Sequence, residues 1–106
     1  MKIRWTNPAV EDIRAIRDFV ARDSETAAIS LVKKIIASPE QLTLFPKMGR
    51  VVPELGNPAV RELIVERNYR VIYHLKEPFL YILGIVHVKQ NIEGMKVKPW
   101  DDPLLG

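Results

Sequence analysis

Two arginines and a histidine are the side chains in this sequence best suited to chemistry. Arg61 lies in Val60-Arg61-Glu62-Leu63, Arg70 in Tyr69-Arg70-Val71-Ile72-Tyr73, and His87 closes Ile82-Leu83-Gly84-Ile85-Val86-His87. Guanidinium groups hold phosphate oxygens through paired N–H donors, and an imidazole moves protons near neutral pH. At the open end of a sheet the three would clamp a phosphate and activate a hydroxyl beside it. Spacing alone leaves a plainer alternative open: Arg61 pairs with a glutamate on a neighbouring strand, Arg70 lies along the surface and His87 is an edge residue. Other groupings are poorer. His74 and His87 with Asp101-Asp102 lack metal-ligand spacing, so no metal or cofactor is expected. No serine sits in a nucleophile elbow, and Gly49-Arg50 is not a phosphate loop. The pairs Glu11-Asp12 and Asp101-Asp102 read as solvated, and Tyr69, Tyr73 and Tyr81 as packing groups.

Strands must carry these residues. Residues 60–66, 69–75 and 79–88 are rich in β-branched and aromatic side chains. Arg67-Asn68 and Lys76-Glu77-Pro78 separate them as hairpin-sized turns, which predicts a three-stranded antiparallel meander. A two-residue turn at Arg67-Asn68 sets Glu66 opposite Tyr69 and Val65 opposite Arg70. Alternation then puts Arg61, Leu63, Val65, Arg70, Ile72 and His74 on one face, and Val60, Glu62, Ile64, Val71 and Tyr73 on the other. The face with both arginines is less apolar at its centre and is expected to point away from any helices. His87 joins it only if the Lys76-Glu77-Pro78 turn keeps its length. Residues 79–88 are apolar at nearly every position, as in a strand covered on both faces.

The first half reads as helical after a short strand at residues 2–5. Thr6-Asn7-Pro8 is a helix start, with Thr6 or Asn7 capping and Pro8 in the first turn. Val10, Ile13, Ile16, Phe19 and Val20 follow on one stripe; Asp23-Ser24 caps a second helix striped by Ala27, Ala28, Leu31, Val32, Ile35 and Ile36. So short a gap folds the two back as an antiparallel hairpin. Pro39 opens one more turn, with Leu42, Leu44 and Phe45 packing behind it. Residues 46–58, with three prolines and two glycines, are expected to be loop. The fold class is α+β: strand, helical hairpin, meander, with the helices on one face of the sheet. Residues 1–90 are expected to form the domain, and residues 91–106 a tail or arm whose apolar handles are Ile92, Met95, Val97, Trp100 and Leu104-Leu105.

Composition narrows the function. A chain of 106 residues is one domain, and folding removes roughly 65% of its unfolded surface. Hydrophobic content of 47%, charged content of 27% and a mean hydropathy of -0.04 exclude a wholly disordered chain. No apolar run approaches a membrane span and the N-terminus has no signal-peptide core, so a cytoplasmic protein with no membrane partner is expected. Zero cysteines exclude disulfides and thiolate chemistry. The net charge of +3 is spread thinly: residues 1–50 carry nine Lys/Arg and six Asp/Glu, residues 51–106 seven of each. Autonomous DNA binding needs clustered cations and is not expected.

Trp5-Thr6-Asn7-Pro8-Ala9-Val10-Glu11-Asp12-Ile13, the segment from Leu44-Phe45-Pro46 to Val52-Pro53-Glu54-Leu55, Val60-Arg61-Glu62-Leu63, Tyr69-Arg70-Val71-Ile72-Tyr73 and Ile82-Leu83-Gly84-Ile85-Val86-His87 follow one another along the chain. In this order the five blocks resemble the RelE/ParE superfamily of toxins from bacterial type II toxin–antitoxin modules. The resemblance implies one of two mechanisms. RelE-like members cleave mRNA in the ribosome without a metal; on that pattern Arg70 and Arg61 hold the phosphate, Lys89 approximates the C-terminal basic position and His87 carries the proton. No tyrosine follows Tyr81, and Glu62 and Glu66 stand where nucleases are more basic. ParE-like members poison DNA gyrase, and the Gly-Arg-x-x-Pro-Glu-Leu loop is closer to them. That branch is favoured, with Arg50, Arg61 and Arg70 touching the target; a degenerate binding module is the third alternative. Either branch implies an antitoxin, its apolar helix laid along the hairpin at Val10, Ile13, Phe19 and Leu31, or a strand added at a sheet edge.

Overall fold

Capping and apolar spacing place the helices as expected. The computed structural model describes residues 1–101 and opens with β1 (Lys2–Trp5), α1 (Asn7–Ala21) and α2 (Glu25–Ala37). Thr6 caps α1, its hydroxyl accepting from the Ala9 N–H at 3.3 Å, and Ser24 caps α2 through the Ala27 N–H at 3.1 Å. Each cap satisfies a donor that the first helical turn leaves free. A 3₁₀ helix at Ser38–Thr43 follows, with Pro39 and Leu42 buried. Leu44 and Phe45 do not pack behind it; they are 78% and 63% exposed.

Among the described residues five strands form one mixed sheet in the order β1-β5-β4-β3-β2, with β2 at Arg50–Val51, β3 at Val60–Val65, β4 at Tyr69–Lys76 and β5 at Phe79–His87. The α+β architecture of strand, helical hairpin and meander stands. Two features extend it: β1 runs parallel to β5, and β2 adds an edge inside the segment expected to be loop. The hairpin and the 3₁₀ helix cover one face, where Ala9, Ile35 and Leu42 meet Val71, Tyr73, Leu80, Ile82 and Ile85. Val52, Val60, Ile72, Leu83, Val86 and Ile92 form a second core on the other face, with Met95 and Trp100 of the C-terminal arm packed against it. This double cover explains the unbroken apolar run of β5. Val97 is exposed, and Leu104-Leu105 and Asp102 lie outside the described residues.

The register of the meander departs from expectation. Val65 pairs with Tyr69 and Ile64 with Arg70, so the β3–β4 loop holds three residues, not two. Glu66 and Arg67 both adopt left-handed backbone, with φ of 53° and 63°. A one-residue slip sends one strand's side chains to the opposite face relative to its neighbour. Arg70 therefore shares a face with Glu62, away from the helices, while Arg61 lies opposite Tyr73 on the helical side. They do not form one basic surface.

A second irregularity moves His87. Ile72 opposes Gly84 but Tyr73 opposes Ile82, so β5 carries an extra residue there and His87 comes opposite Tyr69, on the helical side. The bulge is held by α1. Asp12 Oδ2 accepts from the Ile85 N–H at 2.9 Å, and the Thr6 hydroxyl donates to the Ile82 carbonyl at 2.8 Å. A Cβ on Gly84 would sit 2.9 Å from Asp12 Oδ2, so a larger residue there would have to push aside the carboxylate that holds the Ile85 N–H. Asp12, expected to be solvated, is half-buried; burial raises its carboxyl pKa against the opposing pull of the Ile85 N–H.

Candidate functional site

Arg70, the expected phosphate clamp, is already clamped. Its residue is 5% exposed. Nε donates to Glu62 Oε1 at 2.7 Å, and Nη1 and Nη2 donate to the two oxygens of Glu54 at 2.7 Å each. Two carboxylates thus occupy both edges that a phosphate would use. Glu62 comes from β3 and is fully buried; Glu54 comes from the loop after β2. Arg50 of β2 donates through Nε to the other oxygen of Glu62. Two guanidinium groups and two carboxylates make a formally neutral quartet. Within it the Glu54 hydrogen bonds push Arg70 further toward its charged form, and Arg70 holds the Glu54 carboxyl below its ordinary pKa. Arg50 is the quartet's link to solvent, its side chain 61% exposed.

Arg61 is used differently. Its Nε donates to the Pro58 carbonyl at 2.9 Å, and Nη1 to the carbonyls of Gly49 at 2.9 Å and Lys47 at 3.3 Å. No carboxylate neutralises it among the described residues. The His87 ring packs edge-on against Tyr69 at 5.3 Å between centroids, and its Nδ1 accepts from the Lys89 N–H at 3.1 Å. Arg61 faces Tyr73 and His87 faces Tyr69, roughly 13 Å apart along β4. The structure therefore joins Arg50 to Arg70 and separates Arg61, Arg70 and His87. Among the described residues no group of three or more His, Asp or Glu side chains is placed to hold a metal ion.

The residues expected to meet an antitoxin divide. Ile13 and Leu31 pack against the main core and Val10 is half-buried. Phe19 is exposed, with the Arg22 guanidinium 5.8 Å from its ring centroid. Ile29 and Ile36, seven residues apart and so on one face of α2, are exposed as well.

The segment from Leu44 to Leu55 is organised by a residue the sequence marks only as packing. The Tyr73 side chain is buried, and its hydroxyl donates to the Pro46 carbonyl at 2.9 Å while accepting from the Gly49 N–H at 3.0 Å. Burial raises the pKa of this phenol. A Cβ on Gly49 would lie 2.5 Å from that hydroxyl and 2.6 Å from the Glu62 carbonyl, so only glycine fits. The sequence did carry one signal for Glu62. An acid alternating with Val60 and Ile64 on an apolar strand must be paired if it is buried.

A family model described as the ParE toxin of the type II toxin–antitoxin system, parDE, matches residues 3–92. The chain belongs to this family. Toxin RelE2 of Caulobacter vibrioides (strain ATCC 19089 / CIP 103742 / CB 15) is 29% identical over 86 residues, covering 81% of this chain and 93% of the relative. A chain from the chromosomal ParDE TA system of P. aeruginosa superposes with a TM-score of 0.70 at 28% identity, covering 84% of this chain and 97% of that one. The ParE branch favoured by the Gly49-Arg50 loop is the one that the family model names. This ParE-family chain is thus a toxin of a type II module, and the matched stretch includes the whole quartet and the Tyr73-pinned loop. No helix of the described residues is long and apolar enough to cross a membrane.

Proposed function

We propose that this toxin arrests growth by binding DNA gyrase in the cytoplasm, as a protein inhibitor rather than a nuclease, and that a co-encoded antitoxin neutralises it. The engagement of Arg70 by Glu54 and Glu62 carries this reading. Releasing that arginine to a phosphate would break its pairs with Glu54 and Glu62 and leave the buried Glu62 with only the solvent-exposed Arg50, which costs several kcal/mol. The remaining members of the expected nuclease set, Arg61, His87 and Lys89, do not converge on one point. Of the three target-contact candidates, Arg50 and Arg61 keep that role here, and Arg70 supports Arg50 through Glu62. The antitoxin helix lies on the hairpin over Phe19 and the exposed Ile29 and Ile36, with Val10, Ile13 and Leu31 beneath it. Residues 1–90 are the toxin domain, and the arm seals its second core.

Inducing the chain alone in bacteria tests this. Filamentous cells with an SOS response, relieved when the antitoxin is co-expressed, are the expected outcome. Simple translation arrest with cleaved mRNA would instead favour the ribosome-dependent nuclease.

A further inference from the structure

Residues 44–48, Leu-Phe-Pro-Lys-Met, make a surface that neither the fold nor the ion quartet needs. Leu44, Phe45 and Met48 are 78%, 63% and 46% exposed in five consecutive residues. With Pro46 and Lys47 they border a hollow of about 570 Å³. Isolated exposed apolar residues are ordinary, but three large ones side by side mark a contact surface.

The backbone beneath them is held fast. Phe45 N–H reaches the Gln41 carbonyl at 3.0 Å and Met48 N–H the Phe45 carbonyl at 3.1 Å. Tyr73 ties Pro46 to Gly49 from below, and Arg61 gathers the Lys47 and Gly49 carbonyls from the side. A loop already ordered loses little conformational entropy when a partner docks, so its apolar area is available for affinity.

Charge indicates the partner. Arg50, Arg70, Glu54 and Glu62 cancel among themselves, whereas Lys47 and Arg61 have no carboxylate partner among the described residues. Glu40, in the 3₁₀ helix before the loop, is the acid nearest to it in sequence. A second copy of this chain would bring the same two cations against themselves across a two-fold axis, which is unfavourable. Nucleic acid would leave three apolar side chains unused. An apolar protein surface rimmed by carboxylates satisfies both features, and aromatic residues, Met and Arg are the types enriched at such interfaces.

We infer that this loop grips the toxin's protein target, with Leu44, Phe45 and Met48 seated in an apolar depression and Lys47 and Arg61 facing acidic side chains around it. The inference rests on the reading that the chain acts by binding a protein; it does not depend on that protein being gyrase.

The test compares the full-length toxin with the triple variant Leu44→Ser/Phe45→Ser/Met48→Ser and with Lys47→Glu. Growth arrest on induction, capture of the co-expressed antitoxin and the urea midpoint are measured for each. Apolar anchors of this kind lower affinity by about thirtyfold or more when truncated. The triple variant is expected to lose growth arrest, and Lys47→Glu to weaken it, while both still capture antitoxin and unfold at an unchanged midpoint. Should the triple variant fail to fold, the single exposed charge reversal decides. Undiminished arrest in the folded variants would overturn the inference, and so would a matching loss of antitoxin capture, which would make the loop the antitoxin's surface. Loop-dependent arrest by a wild-type toxin that leaves purified gyrase unaffected would support the loop and overturn the gyrase target.

Discussion

Arg61 and Arg70 sit on paired strands, in two short motifs that resemble toxin sequences, yet they end in opposite circumstances. Arg70 is buried against two carboxylates on the sheet face that the arm covers. Arg61 remains uncompensated by any carboxylate among the described residues and braces a loop through three carbonyls on the other side. A cation in a motif therefore says little about binding until its counter-ions are placed. Here Glu54 and Glu62 turn one arginine into a structural part, and three neutral carbonyls leave the other's charge free to act at a distance.

The contrast is sharpest for Arg70→Ala, the largest effect expected. It strands the fully buried Glu62 with only Arg50 as partner and should cost about 3–4 kcal/mol in urea unfolding. Replacing Arg70 by Met together with Glu54 and Glu62 by Leu should recover much of that loss and still arrest growth. Recovery of fold with loss of arrest would return Arg70 to the functional surface. On the other side of the sheet, Gly49→Ala forces a methyl into the Tyr73 hydroxyl and the Glu62 carbonyl, and about 3 kcal/mol of destabilisation is expected. Tyr73→Phe removes the tie between Pro46 and Gly49 and should lower stability by about 1–3 kcal/mol, weakening growth arrest through a loosened loop.

The pH effects are smaller and of opposite sign in the two places. The lowered pKa of Glu54 means that its contribution is present above its unfolded value near 4.5 and is lost as pH falls through the depressed folded value. His74, lowered by burial and by Lys76, likewise stabilises the fold at neutral pH and loses that contribution on acidification. Asp12 works the other way. Its raised pKa favours folding below its unfolded value near 3.8, and that contribution disappears as pH rises through the folded value. Asp12→Asn keeps an acceptor for the Ile85 N–H and removes the buried charge. The variant should gain stability relative to wild type between pH 4 and 7, which urea midpoints across that range would measure.

The architecture was legible because it rests on local signals: the caps at Thr6 and Ser24, two apolar stripes at helical spacing, and three β-rich runs. The working face was not, because facing depends on single residues that spacing cannot count. One extra residue in the β3–β4 loop separated Arg61 from Arg70, and one extra residue in β5 carried His87 to the helical side. Contacts between distant segments were equally hidden. Nothing local to Asp12 announces the bulge 73 positions away, and nothing in residues 46–49 announces the Tyr73 hydroxyl. The family resemblance supplied the toxin assignment, and the quartet supplied the reason to read this member as a binder.

Supercoiling by purified gyrase in the presence of the wild-type toxin, run beside mRNA integrity in a translating extract, is the most direct test. Inhibited supercoiling with intact message is the predicted result. Normal supercoiling with message cut in the extract would contradict it.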